Sequence, residues 1–86
     1  MRHATEADLD RLEPLLVRLR TIEGLTERKR GLFQRRSKAF LHFHGDGDDL
    51  YADVRLSEDF VRQPVTTPAD QEALVATVEA HLSPPR

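Results

Sequence analysis

Leu9, Leu12, Leu16 and Leu19 recur at three- and four-residue spacing directly behind Thr5-Glu6-Ala7-Asp8, a hydroxyl cap followed by acids that suit the positive end of a helix. The pattern predicts one amphipathic helix from Glu6 to Glu23. Leu15 and Ile22 widen its apolar stripe, and Pro14 projects away from it, so the missing hydrogen bond falls on the watered side and bends the helix without ending it. Gly24 supplies the stop.

Beyond Thr26 the period changes to two. Ala39, Leu41 and Phe43 alternate with Phe40, His42 and His44, and after Gly45-Asp46-Gly47-Asp48-Asp49 the set Leu50, Ala52, Val54 and Leu56 alternates with Tyr51, Asp53 and Arg55. This predicts a β-hairpin. Pairing Gly45 with Leu50 across an Asp46–Asp49 loop sets Phe43 against Ala52, Leu41 against Val54, His44 against Tyr51 and His42 against Asp53. The competing register would face Lys38 with Arg55, and like charges directly opposite are destabilising. Glu27 to Gln34 reads as one further strand and Phe60 to Val65 as a short edge strand, where Pro64 owes the ladder no amide. Thr67, Pro68 and Asp70 then announce a second helix with Leu74, Val75, Val78 and Leu82 on one face, closed by Ser83-Pro84-Pro85.

Strands set between two helices predict an α+β fold: helix, a three- or four-stranded antiparallel sheet, helix, with both helices on one sheet face. With 86 residues in all, a single domain over 1–86 is expected. No apolar run approaches the ~20 residues of a membrane span, and the N-terminus has no apolar stretch of the secretory kind, so no membrane partner is expected. Zero cysteines exclude disulfides and thiolate zinc sites and suit a reducing, cytoplasmic setting.

Charge is unevenly spread. Arg28, Lys29, Arg30, Arg35, Arg36 and Lys38 place six positive charges in eleven residues, while the rest of the chain has seven basic residues against fifteen acidic ones, net −8. A nucleic-acid module working through that basic strand is therefore one alternative. An overall pI near 6.0 disfavours it.

The polar face of the hairpin carries the remaining candidates: His42, His44, Tyr51, Asp53 and Arg55. Two His at i and i+2, about 6.5–7 Å apart by Cα, with a carboxylate opposite permit a divalent metal or an anion without requiring either. No metal, cofactor or catalytic residue is assigned on this pattern. There is no cysteine, no serine in a glycine-framed elbow and no phosphate loop, so catalysis is left with His42 as a base oriented by Asp53. Asp46-Gly47-Asp48-Asp49 reads as turn chemistry, since a calcium loop needs a longer oxygen series ending in Glu. The leading expectation is a small non-catalytic binding or interaction domain using this face, with a symmetric homodimer as one partner arrangement and the small-molecule ligand unidentified. A metal- or anion-binding enzyme remnant on His42, His44 and Asp53 is the other alternative. If Asp53 faces His42, its carboxylate should raise the ring above its ordinary ~6.5.

Phe40-Leu41-His42-Phe43-His44-Gly45-Asp46-Gly47 followed by Tyr51-Ala52-Asp53-Val54-Arg55-Leu56 resembles the H-x-H-G-D-G…D-V-R-L segment of a small bacterial domain family labelled "luciferase". The resemblance covers Leu25 to Leu56. It implies a small bacterial domain of unknown function. The chain departs from that family downstream, having no Trp and no second His-rich stretch.

Overall fold

The computed structural model describes residues 1–83. In chain order these form β1 (Arg2–His3), α1 (Glu6–Arg20), β2 (Thr26–Lys29), β3 (Leu32–Arg35), β4 (Lys38–Asp46), β5 (Asp49–Arg55), β6 (Phe60–Pro64) and α2 (Pro68–Leu82). The fold is α+β with one antiparallel sheet. It holds six strands where three or four were expected, ordered β2-β3-β4-β5-β6, with β1 paired to β4.

Both helices open as their sequences require. Thr5 Oγ1 accepts from the Asp8 amide at 3.1 Å while Asp8 Oδ2 accepts from the Thr5 amide at 2.9 Å, and Thr67 and Asp70 repeat the exchange at 3.1 and 3.2 Å. Pro14 lies inside α1 on its exposed side, as the pattern implied. The helix nonetheless ends at Arg20, three residues before Glu23, because the Thr21 and Ile22 amides turn back to the Arg18 and Leu19 carbonyls in tighter, i−3 geometry. Pro84 and Pro85 lie outside the described residues.

The extra strands come from two places. The expected single strand Glu27–Gln34 is a hairpin, β2 folding back on β3 through Arg30 and Gly31. Gly31 has φ +81°, and a Cβ there would sit 2.6 Å from Leu9 Cδ2, so only glycine fits both the turn and the helix packed on it. β1 was not expected at all. Two residues carry no period, and they pair with β4 only because Arg2 stands opposite Gly45 and His3 opposite His44.

The central hairpin has the predicted register: Leu41 with Val54, His42 with Asp53, Phe43 with Ala52, His44 with Tyr51 and Gly45 with Leu50. Pairing continues one step further, to Asp46 with Asp49, which shortens the connection to Gly47 and Asp48. β6 then lies along β5 as the edge, with Pro64 opposite Tyr51 and Arg62 opposite Asp53.

Leu12, Leu15, Leu16 and Leu19 of α1 and Leu74, Val75 and Val78 of α2 join Phe33, Leu41, Phe43, Ala52, Val54 and Val65 of the strands and loop in one buried apolar cluster. These side chains hold helices and sheet together, each fully buried Leu, Val or Phe contributing about 1.5–3 kcal/mol. The period-two polar residues of β4 and β5 are thereby turned the other way. No helix among the described residues is long and apolar enough to cross a membrane.

Candidate functional site

The six-cation run does not lie on one strand. Arg28, Lys29 and Arg30 lie at the β2–β3 turn, whereas Arg35, Arg36 and Lys38 flank the β3–β4 turn, with the length of β3 between them. No single basic strand exists. Arg30 is neutralised by Glu6, Asp10 and Glu13, three acids along one side of α1, at 2.8, 2.8 and 3.0 Å.

The polar residues of the hairpin converge more closely. His44 Nε2 lies 3.1 Å from Asp53 Oδ2 and 3.1 Å from His42 Nδ1, and one ligand atom from each of the three side chains lies within 4.8 Å of the others. Strand geometry produces this: residues at i and i+2 share a face, and a diagonal cross-strand neighbour remains within reach of a long side chain. Asp53 is buried at 8% exposure, and both histidines are half-buried.

Two expectations require correction here. His42 stands opposite Asp53 in register, yet the carboxylate is engaged by His44 diagonally and by Arg62 from β6. Arg62 Nε donates to Oδ1 at 2.7 Å and Nη2 to Oδ2 at 2.8 Å, a two-point clamp that holds the Asp53 pKa below the ordinary carboxylate value. The His42 pKa is lowered, not raised: burial disfavours the imidazolium more than the Asp53 carboxylate favours it, and the charges of His44, His3 and Arg62 add to the lowering. The neutral ring is the form that the fold favours.

Tyr51 and Arg55 stand apart from the cluster. Among the described residues the Tyr51 hydroxyl makes no hydrogen bond to it, while Arg55 donates from Nε to the Ala39 carbonyl at 3.0 Å and lays its guanidinium 4.6 Å from the Phe60 ring centre. Three residues that the sequence reading passed over complete the surroundings. Arg62 is legible in retrospect, since continuing the β5 pairing across the Ser57–Asp59 turn sets it opposite Asp53. His3 packs its ring 5.0 Å from that of His44, and Phe60 lies 4.9 Å from His42. Rings thus run unbroken from His3 through His44 and His42 to Phe60. Nothing in the local sequence of His3 announces that placement.

Beside this row the sheet is notched. β3 pairs with β4 as far as Leu41, and the chain at β1 takes over at Phe43, whose carbonyl accepts from the Ala4 amide at 3.2 Å, so the β4 edge opens at His42. A cavity of about 410 Å³ fills the gap, bordered by His3, Lys29, Gly31 and His42. The face is therefore not flat, and His42 is reached from a concavity of the size that small ligands use.

No protein-family model, curated protein or solved structure matches this chain.

Proposed function

We propose that the chain is a small binding domain acting through the polar face of its sheet, with His42, His44 and Asp53 as the site and a divalent first-row transition ion as the ligand class their chemistry suits best. One observation carries the reading: His44 Nε2 stands 3.1 Å from both the other nitrogen and the carboxylate oxygen. Bonds of about 2.0–2.1 Å in tetrahedral array place neighbouring ligand atoms about 3.3 Å apart, so His44 already stands near ligand spacing from both partners, while His42 and Asp53, within 4.8 Å of each other, would adjust around a shared ion. Imidazole and carboxylate together suit zinc, nickel or copper above magnesium.

The surroundings support that chemistry. His42 favours its neutral form, which is the form that ligates. Arg62 fixes the carboxylate plane from outside, leaving a lone pair of Oδ2 for an ion in place of the His44 proton. The concavity beside His42 leaves this face accessible to a ligand or to a second copy of the chain. The H-x-H-G-D-G…D-V-R-L resemblance supports the same reading, because its residues build this face. The absence of cysteine is in keeping with a reducing, cytoplasmic setting.

Calorimetric titration with Zn²⁺, Ni²⁺ and Mg²⁺ tests the proposal. One transition ion per chain and no response to Mg²⁺ is the expected result. Binding by none of the three ions would overturn the ion reading and leave the face as a contact surface between proteins.

A further inference from the structure

Among the described residues the three cations at the far end of β3 remain without counter-charges, and their placement is costly. Arg35 stands directly opposite Lys38 in the ladder, a like-charge pair that weakens a hairpin. Between them Arg36 and Ser37 both take left-handed backbone, with φ of 53° and 67°. That conformation suits Asn-Gly in a two-residue hairpin turn and costs about 1–2 kcal/mol for each ordinary side chain. Arg55 approaches from β5, its guanidinium fixed by the Ala39 carbonyl and the Phe60 ring. Among the described residues none of these four cations lies within ion-pair distance of a carboxylate.

The four cations border one concavity of about 320 Å³, together with His81 of α2 and an apolar floor at Phe40. The His81 and Phe40 rings are stacked, with centres 5.9 Å apart. Strain and like-charge crowding collected around a cavity mark a place where the fold holds an arrangement that it would not adopt for stability alone.

We propose that this concavity is an anion site for a small ligand carrying two or more phosphate groups, distinct from the histidine site. Arg35, Arg36 and Arg55 present planar forks suited to phosphate oxygens, and Lys38 adds a point charge. The volume lies at the lower end of small-molecule pockets, enough for a diphosphate and a small attached group. A long polyanion fits less well. Tracking outward from this pocket it meets a chain whose other residues, beyond the six-cation run, are net −8, and the second basic cluster is partly spent on the acids of α1.

Chemical-shift mapping of the full chain with inorganic pyrophosphate, AMP and a single-stranded oligonucleotide tests the assignment. Pyrophosphate should move the amide signals of Arg35 to Phe40, Arg55 to Ser57 and His81, bind more tightly than AMP, and weaken as salt is added. Arg36→Gly removes one charge and installs the residue that tolerates its backbone angle. The expected outcome has opposite signs: pyrophosphate affinity falls about fivefold or more, while the ligand-free protein melts at a higher temperature. Lys38→Gln, which leaves the turn unaltered, should weaken binding in the same way. No shift at millimolar pyrophosphate, or unchanged affinity in both variants, would overturn the proposal. Tighter binding of the oligonucleotide with a footprint reaching Arg28 and Lys29 would overturn it in favour of a nucleic-acid surface.

Discussion

Asp8 and Asp53 are the two buried charged side chains among the described residues, at 4% and 8% exposure, and each is gripped at two points by one arginine. Arg2 donates from Nε and Nη2 to Asp8 at 3.1 and 2.8 Å, and Arg62 does the same to Asp53 at 2.7 and 2.8 Å. The remaining partner separates them. Asp8 accepts its second contact from the Thr5 backbone amide and so ties β1, through Arg2, to the cap of α1. Gly45 makes room for it, since a Cβ there would meet Arg2 Nη2 at 2.7 Å. Asp53 gives its second contact to the His44 ring nitrogen, a group that can release a proton and accept a metal. The same ion pair is thus a rivet in one place and, on the proposed reading, half of an ion site in the other, and the third partner decides which.

The largest effect should come from breaking the rivet. Asp8→Ala removes the capping acceptor and strands Arg2, and urea unfolding should show a loss of about 2–3 kcal/mol with transition-ion affinity unaltered. Asp53→Asn keeps the shape and should cost less, about 1–2 kcal/mol, while weakening Zn²⁺ binding about tenfold or more. A change of ion affinity in the Asp8 variant, or none in the Asp53 variant, would erase the distinction.

Acid separates the two regions by pH. The Arg2 guanidinium, followed by the Thr5 amide, holds the Asp8 carboxyl down to about 2, with Asp46 and Asp48 also near Arg2. A carboxyl depressed on folding contributes stability above its unfolded value of about 3.9 and loses it as pH falls through its folded value. The Asp8 contribution should therefore persist to about pH 4 and disappear towards pH 2, a step absent from Asp8→Asn. His42 acts earlier. Its ring is held neutral on folding, so the stability it contributes is present above about pH 6.5 and is lost as pH falls below that value. Thermal melts of wild type and His42→Gln across pH 5–8 should converge towards the acid end.

Much of this contrast was written in the sequence, though unequally. The central register was legible because two alternating runs flank a tight turn and only one pairing avoids facing Lys38 with Arg55. The capped helices were legible for the same local reason, Thr5 with Asp8 and Thr67 with Asp70 each lying three residues apart. The Arg30-Gly31 turn was hidden inside a charged stretch with no alternation, and its necessity becomes visible only when Leu9 packs against it. Arg62 and His3 escaped because edge pairing and a two-residue strand bring them in from a distance. Charge was the least legible property of all: a run of cations contiguous in sequence is divided by the length of one strand, and only tertiary pairing with Glu6, Asp10 and Glu13 shows that Arg30 is neutralised.

The smallest effects come from the two arginines. Replacing a fork with a point charge, Arg2→Lys should lower the thermal midpoint modestly and leave ion affinity alone. Arg62→Lys should loosen the carboxylate and weaken Zn²⁺ binding several-fold with little change in melting.

The most direct test of the account follows the His42 and His44 ring signals by NMR as Zn²⁺ is added at neutral pH, in wild type, Asp53→Asn and Asp8→Asn. Both rings of the wild type should shift together and saturate at one ion per chain, Asp8→Asn should behave alike, and Asp53→Asn should need about tenfold more Zn²⁺. Rings that shift independently, or a response that survives undiminished in Asp53→Asn, would contradict it.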